Sequence, residues 1–205
     1  FDLDGTLLDT LGDLTAAMNR TLTRHGLPER TQQQMRAALG NGARRLMELS
    51  VPAGTDGALF ETLLAEYNAD YAAHCRIETA PYPGVDALLR QLHAQGRKLA
   101  IVSNKPDEAV RALRAEFFAD TVPIAVGEKQ GIRRKPAPDT LLTAMAQLGA
   151  KRTSTVYVGD SEVDIATARA AGLPCISVLW GFRDRDLLEQ AGAQQFAADA
   201  SELAR

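Results

Sequence analysis

Residues 98–102 read KLAIV, a short apolar run that is followed directly by the polar residues Ser103 and Asn104. Short aliphatic and β-branched runs bounded by polar or turn residues are typical of buried strands. Similar runs are found at 122–126 (VPIAV), 155–158 (TVYV) and 175–179 (CISVL). We expect residues 1–3 to form the end of a first strand that precedes all of these.

Segments with helical spacing lie between these strands, at 85–95, 108–117, 140–148 and 163–171. Glycines follow three of them, where helices commonly end, at positions Gly96, Gly149 and Gly172. Strands that alternate with helices of this length predict a parallel sheet covered on both faces. The predicted fold class is therefore α/β, with a Rossmann-like parallel sheet as its core.

Residues 11–79 have a different pattern, because they contain no run of strand type and their apolar residues recur with helical spacing. Helices are predicted at 11–24, 31–39, 43–49 and 56–75. We therefore expect a core domain made of residues 1–10 and 80–205. A helical cap domain, residues 11–79, would be inserted after the first strand, with hinges near 9–12 and 79–84.

The composition excludes several classes of protein. The chain has 205 residues, 23 of them basic and 26 acidic, for a formal net charge of −3. No strongly basic face is implied, so nucleic acid is not an expected partner. No apolar run approaches the roughly 20 residues that span a bilayer, so no membrane association is expected. We recognise no signal peptide, and we expect Cys75 and Cys175 to be buried thiols in a reducing cytoplasm.

Two acidic residues, Asp2 and Asp4, lie two positions apart at the end of the first strand and are followed by Gly5. Alternation along a strand places residues i and i+2 on the same side. Two carboxylates held close together repel each other unless a cation lies between them. This arrangement suits a divalent metal, or a nucleophile beside an acid.

Further polar residues follow the other predicted strands. Ser103 and Asn104 follow the strand that ends at Val102, Lys135 follows the strand that ends at Val126, and Asp160 follows the one that ends at Val158. The carboxyl ends of parallel strands are where open α/β sheets bind ligands. Carboxylate oxygens suit Mg²⁺, while a lysine and a hydroxyl suit phosphoryl oxygens.

These motifs together resemble the haloacid dehalogenase superfamily, and the resemblance covers essentially the whole chain. Residues 1–6 (FDLDGT) are similar to the first motif of that family, and 102–104 (VSN) to its second. Lys135-Pro136 is similar to the third motif, and Gly159-Asp160 with Asp164 to the fourth. The run LGNGA at 39–43 resembles the phosphoglycolate-phosphatase-like branch, which carries a helical cap.

The resemblance implies roles for four residues in phosphoryl transfer. Asp2 would attack phosphorus and become phosphorylated, and Asp4 would protonate the leaving alcohol and later accept a proton from water. Ser103 would hydrogen-bond the phosphoryl group, and Lys135 would offset charge on the nucleophile and the phosphoryl oxygens. An acid at position 4 favours phosphate esters or anhydrides over carbon–halogen bonds as the cleaved group.

The resemblance also implies a magnesium ion. The Asp2 carboxylate, the Asp4 backbone carbonyl and the Asp160 carboxylate would bind Mg²⁺. Asp164 would orient Lys135 or a water bound to the metal. Asn104 is expected to assist substrate binding or to support the site, and Lys105 is expected to support the site or to be solvated.

Specificity is expected to come from the cap. Gly42 begins a predicted helix, and helix N-termini attract anions. Arg44 and Arg45 follow, and our hypothesis is that one of them meets a second anionic group of the substrate, such as a carboxylate. The alternative for both arginines is a solvated helix face.

The sequence predicts a magnesium-dependent phosphatase that hydrolyses a small phosphorylated metabolite, as a monomer or homodimer. A phosphosugar mutase, a nucleotidase and a pyrophosphatase remain open, because the core residues would be the same. A non-catalytic phosphate- or metal-binding module is disfavoured by the full set of site residues. A receiver-type regulatory domain is disfavoured by Asp4 and by the helical insert.

Overall fold

A computed structural model describes residues 1–204 of the chain. The chain forms two compact units, of which one consists of Phe1–Asp9 and Pro81–Arg205 and the other of Thr10–Ala80. The first unit is α/β and the second is helical. No helix within residues 1–204 has both the length and the apolar character needed to cross a bilayer.

The chain has four α-helices in the helical unit and five in the α/β unit within residues 1–204. The helical unit contains α1 (Leu11–Arg24), α2 (Gln32–Ala38), α3 (Gly42–Ser50) and α4 (Gly57–His74). The α/β unit contains α5 (Val85–Ala94), α6 (Asp107–Phe117), α7 (Asp139–Leu148), α8 (Glu162–Ala171) and α9 (Arg185–Gln190). All predicted helices are present within one or two residues of their expected ends, and α9 was not predicted.

The strands are short. In chain order they are β1 (Leu8–Asp9), β2 (Ala80–Pro81), β3 (Ala100–Pro106), β4 (Ile124–Glu128), β5 (Tyr157–Gly159), β6 (Cys175–Val178) and β7 (Gln195–Ala197). β3 pairs in parallel with β4, and β6 pairs in parallel with both β5 and β7. Strands β3, β4, β5 and β6 overlap the four runs that were predicted as strands, whereas β1, β2 and β7 were missed because two or three residues are too few to show a period.

Residues 1 and 2 lie between β3 and β5 and hydrogen-bond to both. The Phe1 nitrogen donates to the Ala100 carbonyl (2.9 Å), and the Val102 N–H donates to the Phe1 carbonyl (2.8 Å). The Asp2 N–H donates to the Val158 carbonyl on the other side (2.8 Å). The resulting order is β4, β3, residues 1–2, β5, β6 and β7. This confirms the parallel α/β core and gives the first segment a central place in it.

Buried apolar side chains hold the helices on this sheet. Val102, Val126 and Tyr157 of the sheet pack in one cluster with Leu141 of α7 and Ala168 of α8. Each is nearly inaccessible to water, and full burial of a large apolar side chain stabilises a fold by about 1.5–3 kcal/mol. This packing fixes the strand ends, and therefore the residues that follow them.

The helical unit is built around the pairing of α1 with α4. Leu14, Met18 and Leu22 of α1 are buried at a spacing of four residues, which places them on one face. On α4 the rings of Tyr67 and Tyr71 stack with their centroids 6.2 Å apart. The apolar residues whose helical spacing predicted α1 are therefore buried on one face of that helix, which pairs with α4.

Asp13 ties the two ends of the helical unit together. Its buried carboxylate accepts hydrogen bonds from the backbone N–H groups of Ile77, Glu78 and Thr79, at 3.0–3.1 Å, and from the Thr79 hydroxyl at 2.8 Å. A carboxylate with several donors is well satisfied when it is buried. This role could not be predicted from the sequence, because it depends on a partner more than 60 residues away.

Candidate active site

The polar residues predicted to follow the strands meet at one edge of the α/β unit. Asp2 belongs to the segment between β3 and β5, Ser103 lies in β3, and Asp160 follows β5. Lys135 lies in the loop after β4 and Asp164 lies in the first turn of α8. All five are buried, so the site is a group of charges enclosed in the protein rather than a solvated surface.

Lys135 is the centre of this group. Its Nζ lies 2.9 Å from Asp2 Oδ1 and 2.8 Å from Asp164 Oδ1, and it donates to the Tyr157 hydroxyl at 3.2 Å. Burial alone would lower the pKa of Lys135, but the charges of Asp164 and Asp2 outweigh it and raise the pKa above its usual value. The lysine is therefore a fixed positive charge against the carboxylate of Asp2.

Asn104 holds the backbone of Lys135. Its Oδ1 accepts from the Lys135 N–H at 2.8 Å, and its Nδ2 donates to the Lys135 carbonyl at 3.0 Å. The buried amide thereby fixes the loop that carries the lysine. Asn104 therefore supports the site, as one expectation held. Its contact with substrate stays a prediction.

Asp164 is saturated with hydrogen-bond donors. Oδ2 accepts from the hydroxyl of Ser161 (2.6 Å) and from its N–H (3.1 Å), while Oδ1 accepts from the Tyr157 hydroxyl (3.1 Å) and from Lys135. Burial would raise the pKa of Asp164, but the charge of Lys135 and these hydrogen bonds lower it. Asp164 is therefore a permanent anion that orients Lys135.

Asp160 is held by two donors from separate segments. The Thr6 hydroxyl donates to Oδ1 at 3.2 Å, and the Phe182 N–H donates to Oδ2 at 2.7 Å. Gly5 and Gly181 lie so close that a methyl group on either would clash with the Asp160 side chain. Burial, followed by repulsion from Asp164, raises the pKa of Asp160 to about 7.

Three carboxylates could share a cation. One oxygen each of Asp2, Asp160 and Asp164 lies within 4.8 Å of the other two. Burial, then the charge of Asp164, raises the pKa of Asp2 well above its usual value. Because an all-oxygen donor set suits a hard divalent cation, and a cation would favour the ionised forms of Asp2 and Asp160, these residues fit a divalent metal ion.

A second buried lysine contacts Asp4. Lys105, in β3, places its Nζ 2.8 Å from Asp4 Oδ1, and its side chain is only 4% exposed. The Lys105 N–H also donates to the Ser103 hydroxyl at 3.2 Å. The expectation that Lys105 supports the site agrees with this contact, while the alternative of a solvated side chain is wrong.

Two contributors were not singled out from the sequence. Tyr157 joins Lys135, Asp164 and the Val102 carbonyl through its hydroxyl, and burial raises its pKa far enough to keep it protonated. Phe182 holds Asp160 through its backbone. A buried tyrosine needs a hydrogen-bond partner, and this rule was the only available signal for Tyr157. A backbone N–H has no sequence signal at all.

Gly42, Arg44 and Arg45 lie in the helical unit. Gly42 begins α3 with a positive φ of 79°, and the two arginines are exposed on that helix. Arg44 makes two hydrogen bonds to Glu61, at 2.9 and 2.8 Å, and Arg45 pairs with Glu48 at 2.9 Å. Their proposed contact with substrate stays a prediction.

Comparison with known proteins agrees with this geometry. The family model of haloacid dehalogenase-like hydrolases matches residues 1–178 of the chain. The chain belongs to the haloacid dehalogenase-like hydrolases. The matched range contains all the residues from which the resemblance was inferred, and the resemblance is therefore confirmed.

Similar proteins within the haloacid dehalogenase-like hydrolases include phosphatases. A phosphoglycolate phosphatase of Xanthomonas campestris pv. campestris is 36% identical over 184 residues, which is 89% of this chain and 83% of that protein. An N-acetylmuramic acid 6-phosphate phosphatase of Pseudomonas aeruginosa is 32% identical, over 89% of this chain and 81% of that protein.

A solved structure is also similar. A crystal structure from Lactobacillus delbrueckii subsp. bulgaricus, provisionally assigned as a phosphoglycolate phosphatase, is 37% identical, with a TM-score of 0.94. The match covers 100% of this chain and 95% of that one. The chain is thus an enzyme of this hydrolase family and is phosphoglycolate-phosphatase-like.

Proposed function

We propose that the protein is a magnesium-dependent phosphatase that hydrolyses a small phosphate monoester through an aspartyl-phosphate on Asp2. The observation that carries this proposal is the buried contact between Asp2 and Lys135. A carboxylate oxygen of Asp2 also lies within 4.8 Å of one of Asp160, and Asp4 follows Asp2 by two residues. Named phosphatases among the relatives support the same reaction.

In the first step a carboxylate oxygen of Asp2 forms a bond to phosphorus. The bond from phosphorus to the leaving oxygen breaks, and Asp4 gives its proton to that oxygen as the alcohol departs. Lys135 holds the Asp2 carboxylate in place, because its ammonium already contacts Oδ1. The products of this step are the free alcohol, an acyl phosphate on Asp2 and the carboxylate of Asp4.

In the second step a water oxygen attacks the same phosphorus atom. Asp4 takes a proton from this water, and the bond between phosphorus and the Asp2 oxygen breaks. Inorganic phosphate leaves, Asp2 is again a carboxylate and Asp4 is again protonated. The sum is one ester and one water converted to one alcohol and one phosphate.

The charges at the site support this chemistry. Lys135 places its ammonium group against Asp2 and Asp164, and Lys105 places its own against Asp4. Asp2 and Asp160, with the backbone carbonyl of Asp4, would hold Mg²⁺, which supplies positive charge for the phosphoryl oxygens. The hydroxyl of Ser103, in β3, would donate a hydrogen bond to the phosphoryl group.

The substrates named for two relatives have a chemical feature in common. Phosphoglycolate and N-acetylmuramic acid 6-phosphate are both phosphate monoesters of an alcohol that carries a carboxylate. We propose a small carboxylate-bearing phosphate monoester as the substrate of this chain. The role of Gly42, Arg44 and Arg45 in selecting it remains part of the same proposal.

Phosphate release tests the proposal directly. The wild type and Asp2→Asn are assayed with phosphoglycolate, N-acetylmuramic acid 6-phosphate, a neutral hexose phosphate and p-nitrophenyl phosphate, with Mg²⁺ and then with EDTA. Asp120→Asn, a change at an exposed carboxylate in the same unit, is the matched control. We expect release that requires Mg²⁺ and is lost only in Asp2→Asn. Release by Asp2→Asn at the wild-type rate contradicts the proposal.

A further inference from the structure

Lys105 is a buried charge beside the site that the proposed steps do not use. Its side chain is 4% exposed, and its Nζ lies 2.8 Å from Oδ1 of Asp4, whose side chain is 20% exposed. A buried ammonium is costly unless it is paired, so this contact satisfies Lys105. The pair also fixes one oxygen of a carboxylate that solvent can still reach.

The segment that carries Lys105 is itself held firmly. Its N–H donates to the Ser103 hydroxyl, and its carbonyl packs against Gly127 of β4 so closely that a Cβ at that glycine would clash with it. The Gly127 N–H in turn donates to the Asp107 carboxylate at 2.9 Å. The ammonium of Lys105 is therefore presented to Asp4 from a fixed strand end.

The two buried lysines contact different carboxylates. Lys135 contacts Asp2 and Asp164, whereas Lys105 contacts Asp4. Asp2 and Asp4 have different tasks in the proposed reaction, because one bonds to phosphorus and the other moves a proton. Each task thus has its own lysine beside it.

We propose that Lys105 is a positioning residue for Asp4, which it holds in the orientation that delivers a proton to the leaving oxygen. This inference rests on the proposed function. A proton must be delivered within hydrogen-bond reach, so a carboxylate free to rotate would spend less time in the productive geometry.

The leaving group provides a readout that a merely structural role would not change. A p-nitrophenolate departs readily without a proton, whereas an aliphatic alkoxide needs one. The rate of alcohol release in a single turnover is measured for p-nitrophenyl phosphate and for an aliphatic phosphate ester. General acid catalysis contributes typically 10²–10⁴-fold, and the ratio of the two rates isolates it.

In Lys105→Met we expect the ratio of aryl to alkyl rates to rise about 100-fold above that of the wild type. Lys105→Arg keeps the positive charge and is expected to raise the ratio by less than about 10-fold. Lys151→Met, at an exposed lysine of the same unit, is the control and is expected to keep the wild-type ratio. Circular dichroism verifies that each variant is folded.

Two kinetic results would overturn the inference. An equal loss of rate on both esters means that Lys105 supports the fold rather than Asp4. A rise in KM confined to carboxylate-bearing esters, at an unchanged aryl-to-alkyl ratio, means that Lys105 contacts the substrate instead.

A crystal structure of Lys105→Met, and of Lys105→Arg if the first variant is unstable, separates this inference from the proposed function. We expect the Asp4 carboxylate to leave its wild-type position or to occupy more than one rotamer in Lys105→Met. An unmoved Asp4 overturns the positioning role. If the wild type releases alcohol from neither ester, the proposed function fails, while the position of Asp4 still decides what Lys105 does.

Discussion

Lys135 in the α/β unit and Arg44 in the helical unit make nearly the same contacts. Lys135 lies 2.9 and 2.8 Å from oxygens of Asp2 and Asp164, and Arg44 lies 2.9 and 2.8 Å from the two oxygens of Glu61. The side chain of Lys135 is 2% exposed and that of Arg44 is 47% exposed. Distance alone therefore does not distinguish a reactive ion pair from a solvated one.

Buried carboxylates of the two units also differ. Burial would raise the pKa of Asp70 in the helical unit, but Arg20 and Arg24 lower it below its usual value. In the α/β unit, burial and the charge of Asp164 instead raise the pKa of both Asp2 and Asp160. Asp2 and Asp160 therefore lack enough positive charge, which is typical of a site for a cation and for chemistry, whereas Asp70 is paired with two arginines as in a structural contact.

The largest effect is expected from Lys135. Lys135→Met removes the only ammonium that contacts Asp2 and Asp164 in the described part of the chain, and we expect kcat on phosphoglycolate to fall about 10³-fold. Lys151→Met is the matched control at an exposed site and should retain wild-type kcat. A loss below about 10-fold in Lys135→Met would remove Lys135 from the mechanism.

A smaller effect is expected in the pH dependence of stability. The pKa of Asp160 rises from 3.8 to about 7 on folding, so the folded protein binds more protons than the unfolded chain between about pH 4 and pH 7. The free energy of unfolding must therefore decrease as the pH rises through that window. In EDTA we expect Tm at pH 8 to lie roughly 5 °C below Tm at pH 5.

Asp160→Asn is the control for this dependence of Tm on pH, because the amide of asparagine does not titrate. We expect this variant to show a weaker fall in Tm between pH 5 and pH 8 in EDTA. Added Mg²⁺ should raise the wild-type Tm more at pH 8 than at pH 5, because a cation favours the ionised carboxylates. A Tm that rises with pH in EDTA contradicts the raised pKa of Asp160.

The smallest effect on stability is expected at the exposed arginines. Arg44→Ala and Arg45→Ala should leave Tm within about 1 °C of the wild type, since exposed ion pairs contribute little. If one of them meets a second anionic group, its variant should raise KM for phosphoglycolate several-fold and not for a neutral hexose phosphate. Equal activity on both esters would discard the substrate contact and leave only a solvated helix face.

The sequence predicted the α/β unit well, because strand runs and strand-end motifs are local patterns. Ser103 belongs to β3, Asp160 directly follows β5 and Lys135 lies in the loop after β4, and parallel strands bring such positions to one edge. The sequence could not show that Asn104 binds the Lys135 backbone or that Lys105 is buried against Asp4. Those contacts depend on segments about 30 and 100 residues apart.

Some elements also lay outside what periodicity can show. The six residues of α9 and the three of β7 are too few to establish a period, and strand β3 continues through polar residues to Pro106. Its polar end is buried because it lines the site, so the usual alternation of polar and apolar residues does not mark it. The helical unit was found from its amphipathic spacing, yet that spacing says nothing about which of its charges meet a ligand.

Mass spectrometry of the acid-quenched enzyme tests the central claim most directly. The protein is mixed with phosphoglycolate and Mg²⁺, quenched within one turnover, digested and mapped. We predict a phosphoryl group on the peptide that contains Asp2, localised to that residue and absent from Asp2→Asn. Phosphate release without any phosphorylated Asp2, or a phosphoryl group on another residue, would contradict the account.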